Sequence, residues 1–309
     1  MKSLVVLIIL LFSAIIDAQN AFIIDKFGSV TSEIHNDNDD DEQQVLVLWH
    51  GMGDSYNSSS MAKVIEVFQS SHPDLFIYSI RIDEDNDKDQ QLSIFGNVSL
   101  QVDQVCQDLQ KNLPNAKIID GIGFSQGGLF LRALLETCNN FKLNNLITFG
   151  SPHNGIYDLP MCKNQDWFCK NRNSLLKKQA QYFRDIYSYD EYLKESVFLK
   201  YINNDDGKNW QYKDNLIENL QNKLVMVMFN QDQTLVPKQS AWFYDFDVSL
   251  NKLLLFNETT SFNKNLIGLK TLYQKDKVEF LTIDAQHMEI DQNFLKFISN
   301  KYIGQTKII

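Results

Sequence analysis

The chain has 309 residues, of which 44% are hydrophobic and 22% charged, which suits one large or two ordinary globular domains with a substantial core. Its formal net charge is -10 and its isoelectric point is about 5.0. Such an acidic surface argues against nucleic acid as a partner, because phosphate backbones attract basic surfaces.

The first residues have the pattern of a secretory signal peptide. Lys2 supplies a positive charge, Leu4–Ile16 is apolar except for Ser13, and Ala18 is a suitable last residue before cleavage. We interpret residues 1–18 as a signal peptide, with a retained membrane anchor as the alternative. Because no later stretch reaches the apolar length of a bilayer span, we expect no stable membrane span elsewhere.

Residues 19–44 are expected to form a leader into the folded domain. They contain the acidic run Asn36–Glu42, which we interpret as a solvated linker. A calcium loop is the alternative, but the run lacks the glycine and the distant glutamate of an EF-hand.

From residue 45 onwards, apolar runs alternate with segments of helical periodicity, which predicts a mostly parallel, doubly wound α/β sheet over residues 45–309. The predicted strands are Val45–Trp49, Leu75–Ile82, Ile118–Ile122, Leu146–Phe149, Leu224–Phe229 and Val278–Ile283. The predicted helices are Met61–Ser70, Val98–Leu113, Leu129–Leu135 and Asp291–Ser299. We expect a polar connection at Asp83–Gln91 and surface packing at Trp242–Asp247.

Residues 152–223 interrupt this alternation and predict a helical, cap-like insertion above the carboxyl edge of the sheet, where ligands bind. Two interpretations of its aromatic side chains are open. They line an apolar surface that binds an apolar substrate, or they form the ordinary core of the inserted helices. For each individual side chain we favour the second interpretation. These aromatic residues are Tyr182, Phe183, Tyr187, Tyr189, Tyr192, Phe198 and Tyr201.

The sequence from Gly123 to Gly127, G-F-S-Q-G, follows an apolar strand and precedes an apolar helix. Strand, tight turn and helix in this order are the context of a nucleophile elbow, in which the turn exposes the hydroxyl of Ser125. The Gln126 N–H, at the start of the helix, would face a developing oxyanion. The alternative is an ordinary glycine-bounded turn.

A second glycine-rich loop, H-G-M-G-D-S, follows the first predicted strand at residues 50–55. An early loop of this kind supplies the second oxyanion donor in α/β-hydrolases, and the Met52 N–H is our candidate. We interpret His50 as a structural hydrogen-bonding residue.

Two further polar residues follow late apolar strands, Asp232 after the strand that ends at Phe229 and His287 after the last strand. Ser125, Asp232 and His287 therefore occur in the order nucleophile, acid, base of the α/β-hydrolase fold, which predicts acyl transfer through a triad. His50 and His153 remain alternative bases. The alternative acids are Asp205, Asp206, Asp245 and Asp247. This chemistry requires no metal or cofactor, and we expect none.

The four cysteines, Cys106, Cys138, Cys162 and Cys169, permit three disulfide connectivities in a secreted chain. We favour Cys106–Cys138, because both lie late in predicted helices that flank one strand, and Cys162–Cys169, which closes a small loop. Four buried thiols are the alternative; zinc is disfavoured because no histidine lies nearby. Asn57, Asn97 and Asn257 begin sequons and are candidate glycosylation sites.

The chain resembles the palmitoyl-protein thioesterases in several motifs that span nearly its whole length in register. These motifs are W-H-G-M-G-D-S at 49–55, G-F-S-Q-G-G-L-F-L-R-A at 123–133, L-P-M-C at 159–162, F-N-Q-D at 229–232, Trp242-Phe243, and G-L-K-T-L at 268–272. The chain differs from one member of the family at Ser55-Tyr56, where it lacks an adjacent cysteine pair, and its acidic leader is additional.

The resemblance implies a lysosomal or secreted thioesterase that removes long-chain fatty acyl groups from cysteines of S-acylated proteins or peptides. It implies catalytic Ser125, Asp232 and His287, oxyanion donors Met52 and Gln126, and a fatty-acyl groove formed with the cap. The two favoured disulfides fit the family pattern as well. We expect a monomer. Three alternatives remain: an oxygen-ester lipase or esterase, an acyl-CoA-type thioesterase of the same fold, and a hydrolase-fold protein that binds without catalysis.

Overall fold

A computed structural model describes residues 44–113, 118–157 and 181–304. The predicted signal peptide, the leader before residue 44 and the predicted Cys162–Cys169 pair lie outside the described residues. The L-P-M-C motif at 159–162 lies outside them too.

Six parallel strands form the central sheet, in the order β2-β1-β3-β4-β5-β8. Their bounds are Gln44–Trp49 for β1, Phe76–Ser79 for β2, Ile118–Phe124 for β3, Leu143–Phe149 for β4, Leu220–Phe229 for β5 and Val278–Ile283 for β8. Between β5 and β8, a small antiparallel pair is formed by β6 (Asp245–Asp247) and β7 (Lys252–Leu254). The predicted parallel α/β sheet is confirmed.

Ten α-helices of the described residues connect or follow these strands. They are α1 Ser59–Ser71, α2 Asn86–Phe95, α3 Val98–Asn112, α4 Gln126–Thr137, α5 Tyr189–Glu195, α6 Leu199–Ile202, α7 Trp210–Asn219, α8 Thr260–Asn263, α9 Leu269–Gln274 and α10 Gln292–Tyr302. Helices α1 and α10 pack together, and α4 packs against α3 and α7. None of the helices in this part of the chain is long and apolar enough to cross a bilayer.

The apolar runs of the sequence are the central strands and the helix behind the sheet. Every residue from Val45 to Trp49 is buried, as is every residue of α4 from Gln126 to Glu136. A strand covered by helices on both faces has no solvent side, which explains why these runs show no alternation of apolar and polar residues.

Two local predictions are wrong. The predicted polar connection at Asp83–Gln91 contains the start of α2, whose N-cap Asp85 accepts hydrogen bonds from the N–H groups of Asp87 and Lys88. The predicted surface segment Trp242–Asp247 is partly core: Phe243 is fully buried. Both errors arise where tertiary contacts outweigh local composition.

The insertion between β4 and β5 is helical in its described part, which holds α5, α6 and α7. Its aromatic residues divide between core and surface, since Tyr192 and Phe198 are buried whereas Tyr187 is exposed. The predicted strand at Leu224 begins earlier, at Leu220, directly after α7. The interpretation of these aromatics as ordinary core therefore holds for Tyr192 and Phe198.

Cys106 of α3 and Cys138, the C-cap of α4, are joined by a disulfide, the pairing expected from the sequence. The two helices are neighbours on the same face of the sheet. The bond therefore joins α3 to the C-terminal end of α4, the helix that follows Ser125.

Candidate active site

Parallel strands present all their carboxyl ends at one edge of the sheet, and the predicted site residues follow these ends. Ser125 comes directly after β3, Met52 lies in the loop after β1, Asp232 follows β5 and His287 follows β8. Because β5 pairs with β3's neighbour β4 on one side and with β8 on the other, these loops converge above the centre of the sheet.

Ser125 stands in a strained turn. Its φ of 52° and ψ of -121° lie outside the regions that residues with a Cβ prefer. Two glycines allow the close approach that the turn requires: a Cβ at Gly123 would lie 2.2 Å from the Cα of Gly128, and one at Gly127 would lie 2.2 Å from the carbonyl oxygen of Trp49. The turn thus lifts the Ser125 hydroxyl above the sheet edge.

Two hydrogen bonds connect three side chains that come from three different strand ends. His287 Nε2 lies 3.1 Å from Ser125 Oγ, and His287 Nδ1 lies 2.6 Å from Asp232 Oδ2. The other oxygen, Asp232 Oδ1, accepts the N–H groups of Thr234 at 2.8 Å and Leu235 at 2.9 Å. Asp232 is thereby held from both sides. An imidazole bonded in this way can accept the serine proton and be stabilised in its charged form.

His50, an alternative base, is bonded elsewhere. It is fully buried, and its Nε2 lies 3.1 Å from Asp89 Oδ2 in α2. Burial raises the pKa of Asp89, but the hydrogen bond and charge of His50, together with the backbone N–H groups of Ile82 and Tyr56, outweigh it, so the pKa of Asp89 lies below its ordinary value. His50 therefore acts as a structural partner of Asp89.

His153, the other alternative base, is enclosed in the core. Its Nε2 lies 2.9 Å from Thr148 Oγ1, and its ring stacks on Phe243 with centroids 4.8 Å apart. Burial above all, and then the positive charge of Arg132, lower the pKa of His153 well below its ordinary value. Its imidazole is therefore neutral and bonds Thr148.

The alternative acids bond other partners as well. Asp245 Oδ1 accepts a hydrogen bond from Arg184 Nη1 at 2.5 Å, and Asp205 Oδ2 lies 3.9 Å from Arg184 Nε. Asp245 thereby fastens the segment before α5 to β6, and Asp205 brings the turn after α6 to the same arginine. The other two alternatives pair close in sequence, Asp206 with Lys208 and Asp247 with Ser249.

The two expected oxyanion donors border the same space. Met52 and Ser125 line one cavity, and a Cβ at Gly51 would lie 3.3 Å from Ser125 Cβ, so the loop after β1 passes directly against the serine. Gln126 is the first residue of α4, and its N–H is one of those that a helix leaves unpaired. Within the described ranges no protein oxygen accepts from the Met52 or Gln126 N–H.

A cavity of about 780 Å³ opens onto Ser125 and His287, a size that suits one small-molecule or acyl group. Its polar rim includes Asp54, Ser59, Ser60 and Lys63. Apolar side chains supply most of the wall: Met61, Val64, Ile156, Leu235, Met288, Ile290 and Leu295.

Most of this apolar wall comes from α1 and from the segment that leads into α10. The described part of the insertion contributes only Pro152, Ile156 and Tyr182, and none of α5–α7. The wall residues of α1 and α10 were not predicted from the sequence. Their position in the chain could have indicated them. A helix that follows a strand begins at the carboxyl edge of the sheet, so the residues of its first turns border any site there.

The comparisons with known proteins agree with this architecture. Residues 45–287 match the family model described as palmitoyl protein thioesterase. Palmitoyl-protein thioesterase 1 of Caenorhabditis elegans is 35% identical over 269 residues, which cover 82% of this chain and 89% of that protein. The chain belongs to the palmitoyl protein thioesterase family.

The chain is also similar to a second group of thioesterases and to solved esterase structures. A lysosomal thioesterase PPT2 homolog of Drosophila melanogaster is 28% identical over 247 residues, 75% of this chain and 81% of that protein. Among solved structures, the Pyrococcus furiosus esterase Pf2001 is 16% identical, covers 85% of this chain and 81% of its own, and has a TM-score of 0.45. In this member of the thioesterase family, the matched span runs from β1 to His287 and so contains all three bonded side chains.

Proposed function

We propose that the protein hydrolyses long-chain fatty acyl thioesters of cysteine in S-acylated proteins or peptides. The observation that carries the proposal is the bond between His287 and Ser125 at the opening of a largely apolar cavity, in a chain of the palmitoyl protein thioesterase family. The names of the relatives support palmitoyl groups as the acyl class.

The reaction proceeds in two acyl transfers. His287 Nε2 takes the proton of Ser125 Oγ as the oxygen attacks the thioester carbon, and the N–H groups of Met52 and Gln126 stabilise the carbonyl oxygen as it becomes negative. The C–S bond breaks, His287 protonates the departing cysteine sulfur, and an acyl-serine remains. Water, deprotonated by His287, then attacks the acyl-serine and releases the fatty acid.

The substrate class follows from the shape and chemistry of the cavity. A straight alkyl chain needs apolar walls such as those of Met61, Val64 and Leu295, and each buried methylene contributes roughly 0.8 kcal/mol. The polar rim, with Lys63 and Asp54, leaves the peptide end of the substrate in water. No step requires a metal, and among the described residues no cluster of three or more His, Cys, Asp or Glu side chains could hold one.

An oxygen-ester esterase or an acyl-CoA thioesterase would use the same side chains. We expect a higher kcat/KM on a palmitoyl-cysteine peptide than on its serine oxygen-ester isostere or on palmitoyl-CoA. A strong preference for the oxygen ester would refute the proposed substrate class. Ser125→Ala should lower kcat by roughly 10⁴-fold or more while the fold persists, and Ser249→Ala, on a remote exposed turn, should have no effect.

The proposal includes the cellular localisation of the protein. We infer delivery to the lysosome or secretion, with residues 1–18 as a signal peptide, residues 19–44 as the leader and residues 45–309 as the catalytic domain. The family includes relatives named lysosomal thioesterases. Asn57, Asn97 and Asn257 are all exposed, as glycosylation requires. Peptide mapping of protein secreted from eukaryotic cells, with and without glycosidase, tests both the cleavage site and the glycans.

A further inference from the structure

Helix α2 turns one polar face towards the loop that carries Met52. Asp89 lies four residues before Ser93 and Gln90 three, so both neighbour Ser93 on the helix surface. Each of the three side chains forms a hydrogen bond with the loop. The bonds reach Gly53, Tyr56 and His50, on both sides of Met52. A helix without catalytic side chains therefore borders the whole loop.

Gly53 is held at both of its backbone polar groups by α2. Its N–H donates to Ser93 Oγ at 2.8 Å, and its carbonyl oxygen accepts from Gln90 Nε2 at 2.6 Å. The Ser93 hydroxyl in turn donates to the Gln90 carbonyl oxygen at 2.7 Å. This bond orients the hydroxyl so that its oxygen accepts from the Gly53 N–H. Since Gly53 has a left-handed φ of 77°, these bonds select one conformation of a residue that has many.

The same serine also bonds the residue that carries the other oxyanion donor. The Ser93 carbonyl oxygen accepts from Gln126 Nε2 at 2.9 Å, and the Gln126 side chain is buried. Its Oε1 accepts from the Tyr182 hydroxyl at 3.4 Å. Ser93 is thus bonded through its side chain to Gly53, the neighbour of Met52, and through its carbonyl oxygen to Gln126. Gly53 follows β1 and Gln126 follows β3, so Ser93 connects two separate parts of the site.

Asp89 fastens the remainder of the loop. Its Oδ2 accepts from the Tyr56 N–H at 2.9 Å and lies 3.1 Å from His50 Nε2, while its Oδ1 accepts from the Ile82 N–H at 2.7 Å. Asp89 is fully buried. Residues before and after the Met52 turn are therefore tied to the same helix, and the spacing of the loop relative to α4 is set by α2.

We propose that α2 positions the oxyanion site: the side chains of Ser93 and Gln90 are positioning groups that act through Gly53, and the backbone carbonyl of Ser93 holds the Gln126 side chain. The inference rests on the oxyanion site of the proposed function and extends it. Oxyanion donors act only when they are fixed in advance, since a loop that must reorganise loses the electrostatic gain. Loss of either side chain should therefore lower the rate of the chemical step more than the binding of the acyl chain.

The matched pair Gln90→Ala and Gln91→Ala tests this. Both glutamines are exposed and adjacent in α2, but only Gln90 bonds the loop among the described residues. With the full-length enzyme and a palmitoyl-cysteine peptide, we expect Gln90→Ala to lower kcat about tenfold with KM changed less than twofold, because complete loss of one donor costs roughly 10²–10³-fold. Gln91→Ala should equal the wild type. Ser93→Ala should lower kcat at least as much as Gln90→Ala.

Two inhibitors separate positioning from mere support of the fold. A palmityl trifluoromethyl ketone adds Ser125 Oγ to its carbonyl carbon, the serine proton passes to His287, and the ketone oxygen becomes an anion in the oxyanion site. An S-hexadecyl cysteine peptide, a thioether without a carbonyl, fills the acyl cavity only. Gln90→Ala and Ser93→Ala should weaken the ketone about tenfold and leave thioether affinity unchanged.

If Gln90→Ala behaves as Gln91→Ala does, or if either Gln90→Ala or Ser93→Ala weakens both inhibitors equally, the positioning role is refuted while the proposed function stands. A wild-type enzyme that hydrolyses neither the palmitoyl thioester nor a p-nitrophenyl ester would refute the proposed function and this inference together.

Discussion

Asp232 reaches His287 because their strands are neighbours. β5 and β8 pair in register up to Phe229 and Ile283, and the two polar residues follow within a few positions of these ends. The sequence predicted this aspartate from the apolar strand before it. It could not separate Asp232 from Asp245 or Asp205 on residue type alone, because the distinction depends on which strand lies beside the histidine strand and on the buried Arg184 that binds the other two.

Asp232→Asn is the residue-scale prediction. Asparagine keeps the size of the side chain, but its amide can donate to Nδ1 and so favour the wrong imidazole tautomer. We expect kcat on a palmitoyl-cysteine peptide to fall by roughly 10³–10⁴-fold with little change in KM. Labelling of Ser125 by a fluorophosphonate should slow in parallel, as measured by the second-order rate constant.

Asp284→Asn is the matched control for this substitution. Asp284 lies in the same turn as His287, is exposed, and bonds only Gln231 Nε2 at 3.2 Å among the described residues. Wild-type kinetics are expected for it. An Asp232→Asn enzyme with more than a tenth of wild-type kcat would mean that another group orients His287.

At the scale of elements, the strands and the helices with apolar faces were predictable, and α2 was not. The residues of α2 that are buried, Asp89 and Ser93, are polar, so the segment has no apolar periodicity. Its helix is stabilised by an N-cap and by bonds to the loop after β1, which only the folded chain provides. The buried Phe243 escaped prediction for a similar reason, since its partner His153 is distant in sequence.

Asp85→Ala tests how strongly the cap stabilises α2. The Asp85 carboxylate accepts from the N–H groups of Asp87 at 3.0 Å and Lys88 at 3.1 Å, and loss of such a cap costs about 1 kcal/mol. We expect that decrease in the free energy of unfolding, measured by urea denaturation. Asp87→Ala removes a charge from the same helix end but no cap, so about 0.5 kcal/mol or less is expected. Equal effects of the two substitutions would show that charge, not capping, stabilises this helix end.

At the scale of the whole molecule, the carboxyl edge of the sheet was predictable because the alternation of strands and helices, which implies parallel strands, appears directly in the sequence. The connection between the sheet and the β4–β5 insertion was not, because it depends on one buried cation. Arg132 of α4 bonds Glu136 Oε1 at 2.7 Å, Asn203 Oδ1 at 2.7 Å and the Ile202 carbonyl oxygen at 3.2 Å. The helix that follows Ser125 is therefore attached to the insertion by the hydrogen bonds from Arg132 to Asn203 and Ile202, while the pairing with Glu136 lies within the helix and has no solvent contact.

The buried Glu136 carboxyl makes the stability of the molecule depend on pH. Burial raises the pKa of Glu136 from 4.5 to about 7, although the charge of Arg132 opposes the shift. Between these two values the folded protein holds a proton that the unfolded chain has released. Stability must then fall as pH rises through this range, and should be independent of Glu136 below it and above it.

Glu136→Gln provides the test, because glutamine resembles the protonated acid and cannot titrate. We expect the free energy of unfolding of the wild type, minus that of Glu136→Gln, to decrease steadily from pH 4.5 to about pH 7 and then to level off, as measured by urea denaturation across the range. Glu218→Gln, on the exposed side of α7, controls for the loss of one carboxylate from the surface. If the difference for Glu136→Gln rises with pH, or follows the same course as that for Glu218→Gln, then Glu136 is ionised in the folded protein throughout the range and its pair with Arg132 stabilises the charged form.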